Sequence, residues 1–310
     1  MNSLTTAPRA LPSRAGPHGS RLFAIGLMCA TVACFAALDT AAKFLSRDLP
    51  TVEVAWARYM VAGVFALIVS RAPGNLAVFK SSRLGLEILR SCLLLGSTLA
   101  NFVALRKLQL AETSTIGFLQ PMFVALLAAP LLGEKVGLPR ALAIGVGFLG
   151  VIVATQPGTS AFQPIVLVSI AGAACAAGYA LATRKVSAYD SPRTMLAWTQ
   201  VAGIIALTPM LPLIWKTPPT ALFWAVGCGM GFLAFAGHGL LILAHQRAPA
   251  AALTPFNYTQ LVWMIILGRM VFGDVPPLAN LFGAGLVVAC GLFLVFHEHR
   301  SATPRSKIRI

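Results

Sequence analysis

Charge is what this sequence has least of. Only 11% of its 310 residues are Asp, Glu, Lys or Arg, and just 9 are acidic. A soluble domain carries about 25% charged residues, so an ordinary water-exposed enzyme or binding module is excluded. Cysteine is sparse as well. Cys29, Cys34, Cys92, Cys175, Cys228 and Cys290 all sit inside apolar runs, with no CxxC and no histidine pair nearby. They read as small hydrophobes, with no disulfide framework and no metal site. "HEH" at 297–299 is too short a cluster for a ligand set. No P-loop occurs, and no gap between apolar runs is long enough for a soluble domain.

What is there is apolar. Hydrophobic residues make up 57% of the chain and the mean hydropathy is +0.80. Segments long enough to span a bilayer recur at 22–44, 53–70, 84–105, 111–132, 138–156, 163–183, 194–214, 220–244, 250–272 and 277–297. Gly, Pro and Ser cluster at the joints, as in "RAPGN", "TQPGTS", "KTPPT" and "GDVPP", which suit turns. The predicted fold class is therefore all-α: a polytopic membrane protein of ten transmembrane helices.

The formal charge of +15 does not point to nucleic acid, because the cations fall in short gaps between spans and form no basic-aromatic stripe. Their distribution sets orientation instead. With the N-terminus inside, the inner segments hold 16 lysines and arginines. The outer loops hold 4 (Arg47, Arg106, Lys107 and Lys216), and 4 lie within helices (Lys43, Arg58, Arg90 and Arg269), which accounts for all 24. Both termini are expected in the cytoplasm. The first apolar run continues to Phe44 without a good small-residue cleavage site, so it is expected to stay as a span rather than leave as a signal peptide.

The chain also repeats itself. "AETSTIGFLQPMFVALLAAPLLGEKV" from Ala111 aligns with "AALTPFNYTQLVWMIILGRMVFGDVP" from Ala251 at a constant shift of 140. Gln120 meets Gln260, Gly133 meets Gly273, and Glu134 meets Asp274. Further forward, "VAWARYMVAG" resembles "LAWTQVAG", pairing Trp56 with Trp198 and Arg58 with Gln200. Helices one to five and six to ten are thus copies. Five is odd, so the second copy enters the membrane from the opposite side, the arrangement of carriers whose site lies near the midplane between the halves.

Over nearly its whole length the chain resembles the drug/metabolite transporter superfamily, EamA type. The resemblance rests on the two five-helix repeats. It rests also on "LQPMFVALLAAPLLGEKV" and "YTQLVWMIILGRMVFGDVPP", each followed by a Gly-spaced helix, "AIGVGFLGVIV" and "LFGAGLVVACGLFLV". The opening "ALDTAAKFLSRDLPTVEVAWARYMVAG" is similar to a branch that includes carriers for S-adenosylmethionine and riboflavin; other members export amino acids or metal-chelating metabolites. The resemblance implies a carrier without ATP hydrolysis, its cavity among helices one, three, four, six, eight and nine. One departure is visible: the second copy has no equivalents of Asp39 and Lys43 and offers Tyr179 near that level.

Ionisable groups at membrane depth are costly and usually face a cavity or one another. Asp39 and Lys43 share one face of helix one through their i,i+4 spacing, and Arg58 on helix two stands at a similar height. Two readings stay open: a structural Asp39–Lys43 bridge with Lys43 snorkelling, or Asp39 holding one cation while the other meets a substrate carboxylate or phosphate. Gln120 beside Pro121, and Gln260 beside Tyr258, sit in helices four and nine, where a proline frees carbonyls. Trp263, mid-helix, is a candidate to stack a planar substrate, packing being the alternative. Trp215 and Trp224 suit interfacial anchors. His238, in "FAGHGLL", could relay protons or stay neutral against a carbonyl. Arg90 with Glu87 reads as a structural pair, and Glu134 and Asp274 as helix caps. The candidate substrate-binding set is Asp39, Lys43, Arg58, Gln120, Tyr179, His238, Tyr258, Gln260 and Trp263.

The expected organisation is a disordered cytoplasmic tail at 1–21, repeats at 22–156 and 163–297, and a basic cytoplasmic tail at 298–310. The expected function is secondary transport of a small polar organic metabolite across a bacterial inner membrane. Export of an anionic or zwitterionic amino-acid-derived compound comes first. The alternatives are uptake of riboflavin or S-adenosylmethionine and, from another class, a membrane assembly protein that transports nothing. No enzyme activity, cofactor, metal or nucleic acid is expected. The partners are a small-molecule substrate, the lipid bilayer and, as an option, a second copy in a homodimer.

Overall fold

The computed structural model describes residues 18–70, 76–132, 137–159, 162–248 and 250–302, and among these every regular element is helical. The elements are α1 His18–Leu45, α2 Thr51–Ser70, α3 Leu84–Leu105, α4 Leu110–Gly117, α5 Gln120–Leu132 and α6 Leu138–Thr155. After them come α7 Val166–Val186, α8 Pro192–Leu207, a short α9 Leu211–Ile214, α10 Ala221–His245, α11 Ala250–Asn257, α12 Gln260–Leu267 and α13 Leu278–Ala302. Glu134 lies outside the described residues.

Two of the predicted spans are not continuous. The fourth divides at Phe118–Leu119 into α4 and α5, and the ninth at Tyr258–Thr259 into α11 and α12. The two breaks stand one repeat length apart in sequence. Pro121 falls in the first turn of α5, where a missing N–H costs nothing, and Pro255 lies inside α11, three residues before its break. The ninth span then ends in a π-helical turn, Gly268–Phe272. Nine stretches among the described residues are long and apolar enough to cross a bilayer, and the divided 250–272 segment is the predicted span missing from them.

The packing has the symmetry the repeat demands. α1 packs on α10 as α7 packs on α3; α2 on α10 as α8 on α3; and α12 on α1 as α5 on α7. Under the same exchange α2–α8 and α6–α13 map onto themselves, and both contacts form. Inversion is visible at the ends. Ile165, where the second copy begins, lies beside Ser46 and Arg47, where the first helix of the first copy finishes. That end also gathers Thr51 with Arg106, and Glu53 with the backbone N–H of Lys216 at 3.0 Å. The opposite end joins Ser81 and Ser82 to Asp190. The first of these ends is the one that the cation count leads one to expect on the outside, and it is called the outer end below. Trp56, Trp215 and Trp224 form an aromatic group there, with centroids 6.2 and 6.4 Å apart along the chain of contacts.

Small residues let the helices close. A Cβ on Gly283 of α13 would lie 2.6 Å from the Ala154 Cβ of α6, and one on Gly150 of α6 would lie 2.9 Å from the Gly283 carbonyl. Lipid supplies no hydrophobic drive between helices, so close backbone contact of this kind does much of the holding.

Candidate functional site

Polar side chains between the halves form a column, and α3 is its spine. Thr98 and Asn101, three residues apart, share one face of α3. Thr98 Oγ1 accepts from Arg58 Nη1 at 3.1 Å and from the Tyr59 hydroxyl at 3.0 Å. Arg58 is 5% exposed, its guanidinium 4.7 Å from the Tyr59 ring centroid. Asn101 Nδ2 donates to Asp39 Oδ1 at 2.9 Å. Thr98 and Asn101 thus hold Arg58 and Asp39 at neighbouring positions along α3.

Lys43 does not pair with Asp39. Its ammonium meets Asp274 Oδ2 at 2.9 Å and donates to the Leu108 carbonyl at 3.0 Å, and it also lies over the Phe272 ring. The i,i+4 spacing was a sound reason to expect contact, but the turn after the ninth span brings a carboxylate to the ammonium from the other repeat. Asp274 is therefore an ion-pair partner rather than a helix cap. Asp39 is left with a neutral amide, so neither sequence reading of the trio describes the geometry.

Toward the inner end, Arg90 and Glu87 pair as expected, at 2.9 Å, with side chains 2% and 0% exposed. Arg90 is tied further than the sequence suggested. It donates to Thr199 Oγ1 at 2.9 Å and to the Met195 carbonyl, joining α3 to α8. Tyr179 stands beside it, hydroxyl 3.4 Å from Nη1. His238 is buried, and its ring meets Phe35 edge-on at 5.2 Å.

The remaining candidates divide. Gln120 Nε2 donates to the Ala176 carbonyl at 3.3 Å, on the α7 side of the column. Gln260 is half-buried at the start of α12, and its amide has no hydrogen-bond partner among the described residues. Tyr258 belongs to a separate core: its ring packs on Phe118 at 4.9 Å and its hydroxyl lies against Gly291 of α13. Trp263 is 41% exposed and shares a bare apolar face with Val262, Ile266 and Met270. In a membrane lipid covers such a face, so neither aromatic joins Asp39 and Arg58.

Sequence reasoning missed Thr98, Asn101, Thr199 and Gln200. The first three are uncharged and leave no trace in a hydropathy reading. Gln200 did have a signal, as the repeat partner of Arg58. It is 2% exposed, and both its amide atoms lack a hydrogen-bond partner, as do Arg58 Nε and His238 Nε2. Each such group costs about 1–3 kcal/mol when buried unmatched. A polar molecule entering the column would recover part of that cost. Among the described residues neither Asp39 nor Arg58 makes an ion pair, so the column can receive an acid and an amine together.

Comparison with known proteins agrees with this architecture. The model of the EamA-like transporter family matches residues 22–156 and again 163–296, so the chain belongs to that family. It is similar to the S-adenosylmethionine uptake transporter of Rickettsia conorii, 26% identical over 285 residues, covering 90% of this chain and 95% of that one. It is also similar to the riboflavin transporter of Vibrio cholerae, 26% identical over 275 residues, covering 86% and 91%. The pseudopaline exporter CntI of Pseudomonas aeruginosa is 26% identical over 277 residues, covering 86% and 94%. A solved structure described as "Crystal structure of protein" superposes with a TM-score of 0.62 at 17% identity, covering 93% of this chain and all of the other; that likeness concerns the fold. The chain is a multi-pass membrane protein of the drug/metabolite transporter type, and its relatives bear the names of transporters, not enzymes.

Proposed function

We propose that this protein is a secondary carrier, in a bacterial inner membrane with both termini cytoplasmic, for a small metabolite bearing an α-amino-acid end. The observation that carries the reading is the relation of Asp39 to Arg58. Asp39 is held by the Asn101 amide and Arg58 by the Thr98 hydroxyl, two partners on one face of α3, with the guanidinium Nε unmatched among the described residues. An ammonium on the cargo would face Asp39 and its carboxylate would face Arg58. Alternating exposure of the column to the two sides, with the repeats rocking about their shared axis, would move the cargo without nucleotide hydrolysis.

The relatives' names support two directions. Uptake of S-adenosylmethionine, a sulfonium nucleoside with an amino-acid end, is one; export of pseudopaline is the other. A flavin has no such end, so it ranks below both. Sealed proteoliposomes loaded with, or bathed in, labelled S-adenosylmethionine, amino acids and riboflavin test the reading. Saturable flux of an amino-acid-bearing compound, lost in Arg58→Ala, is the expected outcome. Flux of riboflavin alone would refute the cargo class, and no flux of any compound would favour the assembly-protein alternative.

A further inference from the structure

The outer end carries a feature the central column does not use. A cavity of about 410 Å³ opens between the ends of α1 and α3 and the start of α7, lined by Ser46, Arg47, Val103, Arg106, Lys107 and Ile165. Three of the four cations in the expected outer loops line it. Outer cations run against the bias that orients the chain, so their concentration in one place asks for a cause beyond topology. No carboxylate lines the cavity. The acidic groups of that end are engaged elsewhere: Glu53 with the Lys216 N–H at 3.0 Å, Glu112 with the Gln109 N–H at 2.7 Å, and Asp274 with Lys43 at 2.9 Å. The remaining one, Asp48, is exposed and outside the lining.

The cations are also available. The Lys107 ammonium has no hydrogen-bond or ion-pair partner among the described residues, and Arg106 makes a single 3.5 Å contact, to Thr51. Arg47 rests its guanidinium 4.8 Å over the Phe272 ring, which fixes its position without using its N–H donors. A second observation points to a ligand. Ser46 is 2% exposed, lines the cavity, and its Oγ has no hydrogen-bond partner. A buried, unpartnered hydroxyl in the same lining as three cations is a site an anionic oxygen would complete.

We propose that this cavity is an anion-binding vestibule that takes the carboxylate or phosphate of a soluble organic anion at the outer face. Arg106 and Lys107 supply the charge, Arg47 the wall and Ser46 the hydrogen bond at the floor. Its part in transport rests on the carrier reading and on the outward assignment of this end; its binding of anions rests on neither. For a cargo with an acidic end, it would concentrate that end beside the Lys43–Asp274 contact.

Full-length protein in phosphatidylcholine nanodiscs, titrated calorimetrically with inorganic phosphate and with citrate, tests the site. The parent is expected to show one saturable anion site, weakened about tenfold or more in Arg106→Gln/Lys107→Gln and in Lys107→Glu. Equal binding by parent and variants, or no saturable binding by the parent, overturns the proposal. Discs containing phosphatidylglycerol separate the sources: unchanged binding supports a soluble ligand, while loss of binding assigns the cavity to lipid head groups and refutes it. Flux is read separately. The double variant should raise the half-saturating outer concentration more than it lowers the maximal rate. A parent that binds anions yet carries nothing sinks the carrier reading alone; one that carries cargo yet binds no anion sinks the vestibule alone.

Discussion

Lys43 and Asp274, 231 residues apart in sequence, meet at 2.9 Å across the two repeats. Their side chains are 15% and 22% exposed, and a half-wet pair adds about 1 kcal/mol or less to static stability. Its position matters more. Together with the Leu108 carbonyl, it ties α1, the α3–α4 turn and the turn after α12 at the outer end, between the halves. Rocking the repeats apart there must break it. Joining the positions, Lys43→Cys with Asp274→Cys, by a reducible bifunctional thiol cross-linker should stop flux, and reductant should restore it. Undiminished flux in protein shown to be cross-linked would show that this contact need not open.

Arg58 is predicted to be required for transport and dispensable for insertion. Arg58→Ala should remove flux while the protein remains in the membrane fraction. Thr98→Val, which deletes only the hydroxyl accepting from Nη1, should leave flux lower by about tenfold, the order of one hydrogen bond to a charged group. Normal flux in both variants would remove Arg58 from the cargo path.

The Arg90–Glu87 pair is predicted to hold the inner end together. Removing one partner of a buried ion pair strands the other, at about 3–5 kcal/mol. Glu87→Ala should therefore lower the midpoint of thermal unfolding in detergent, followed by size-exclusion fluorescence, more than any change at Lys43 does. An unchanged midpoint would show that Arg90 is held adequately by Thr199 and Met195.

Gly283 should tolerate no side chain. In Gly283→Val the added atoms would meet Ala154 and the Gly150 carbonyl across α6 and α13; overpacking of this kind costs about 1–3 kcal/mol. Reduced yield and a lower unfolding midpoint are expected, with Gly145→Val as the control, since a Cβ there meets nothing within 4 Å.

Trp263→Leu should leave flux near that of the parent, because the ring sits on the bare face of α12 with Val262 and Ile266. A large loss would return Trp263 to the cargo path and refute its assignment to lipid.

The sequence was most legible where hydropathy speaks. Span positions and the repeat were readable because lipid demands long apolar helices and duplication leaves glycines at one spacing. The Arg90–Glu87 pair was readable because both partners lie on one helix. Lys43 was misread for the converse reason. Its carboxylate comes from the other repeat, through a turn whose path no local periodicity encodes. Thr98 and Asn101 were invisible because a lone hydroxyl or amide in an apolar helix looks like any packing residue. For Trp263 the choice between stacking and packing stayed open because depth along a helix is legible, whereas azimuth needs the neighbours.

The two repeats share a scaffold but not its chemistry. Within the column, Asp39, Arg58, Glu87 and Arg90 all come from the first, and the second answers with Tyr179, Thr199, Gln200 and His238, while its Asp274 meets Lys43 at the outer end. The first copy thus supplies the charges of the column and the second a neutral counter-surface. Exchanging cargo preference between such proteins should then require grafting residues from 22–156, while a graft of the later copy alone would alter the hinge and leave the choice of passenger intact.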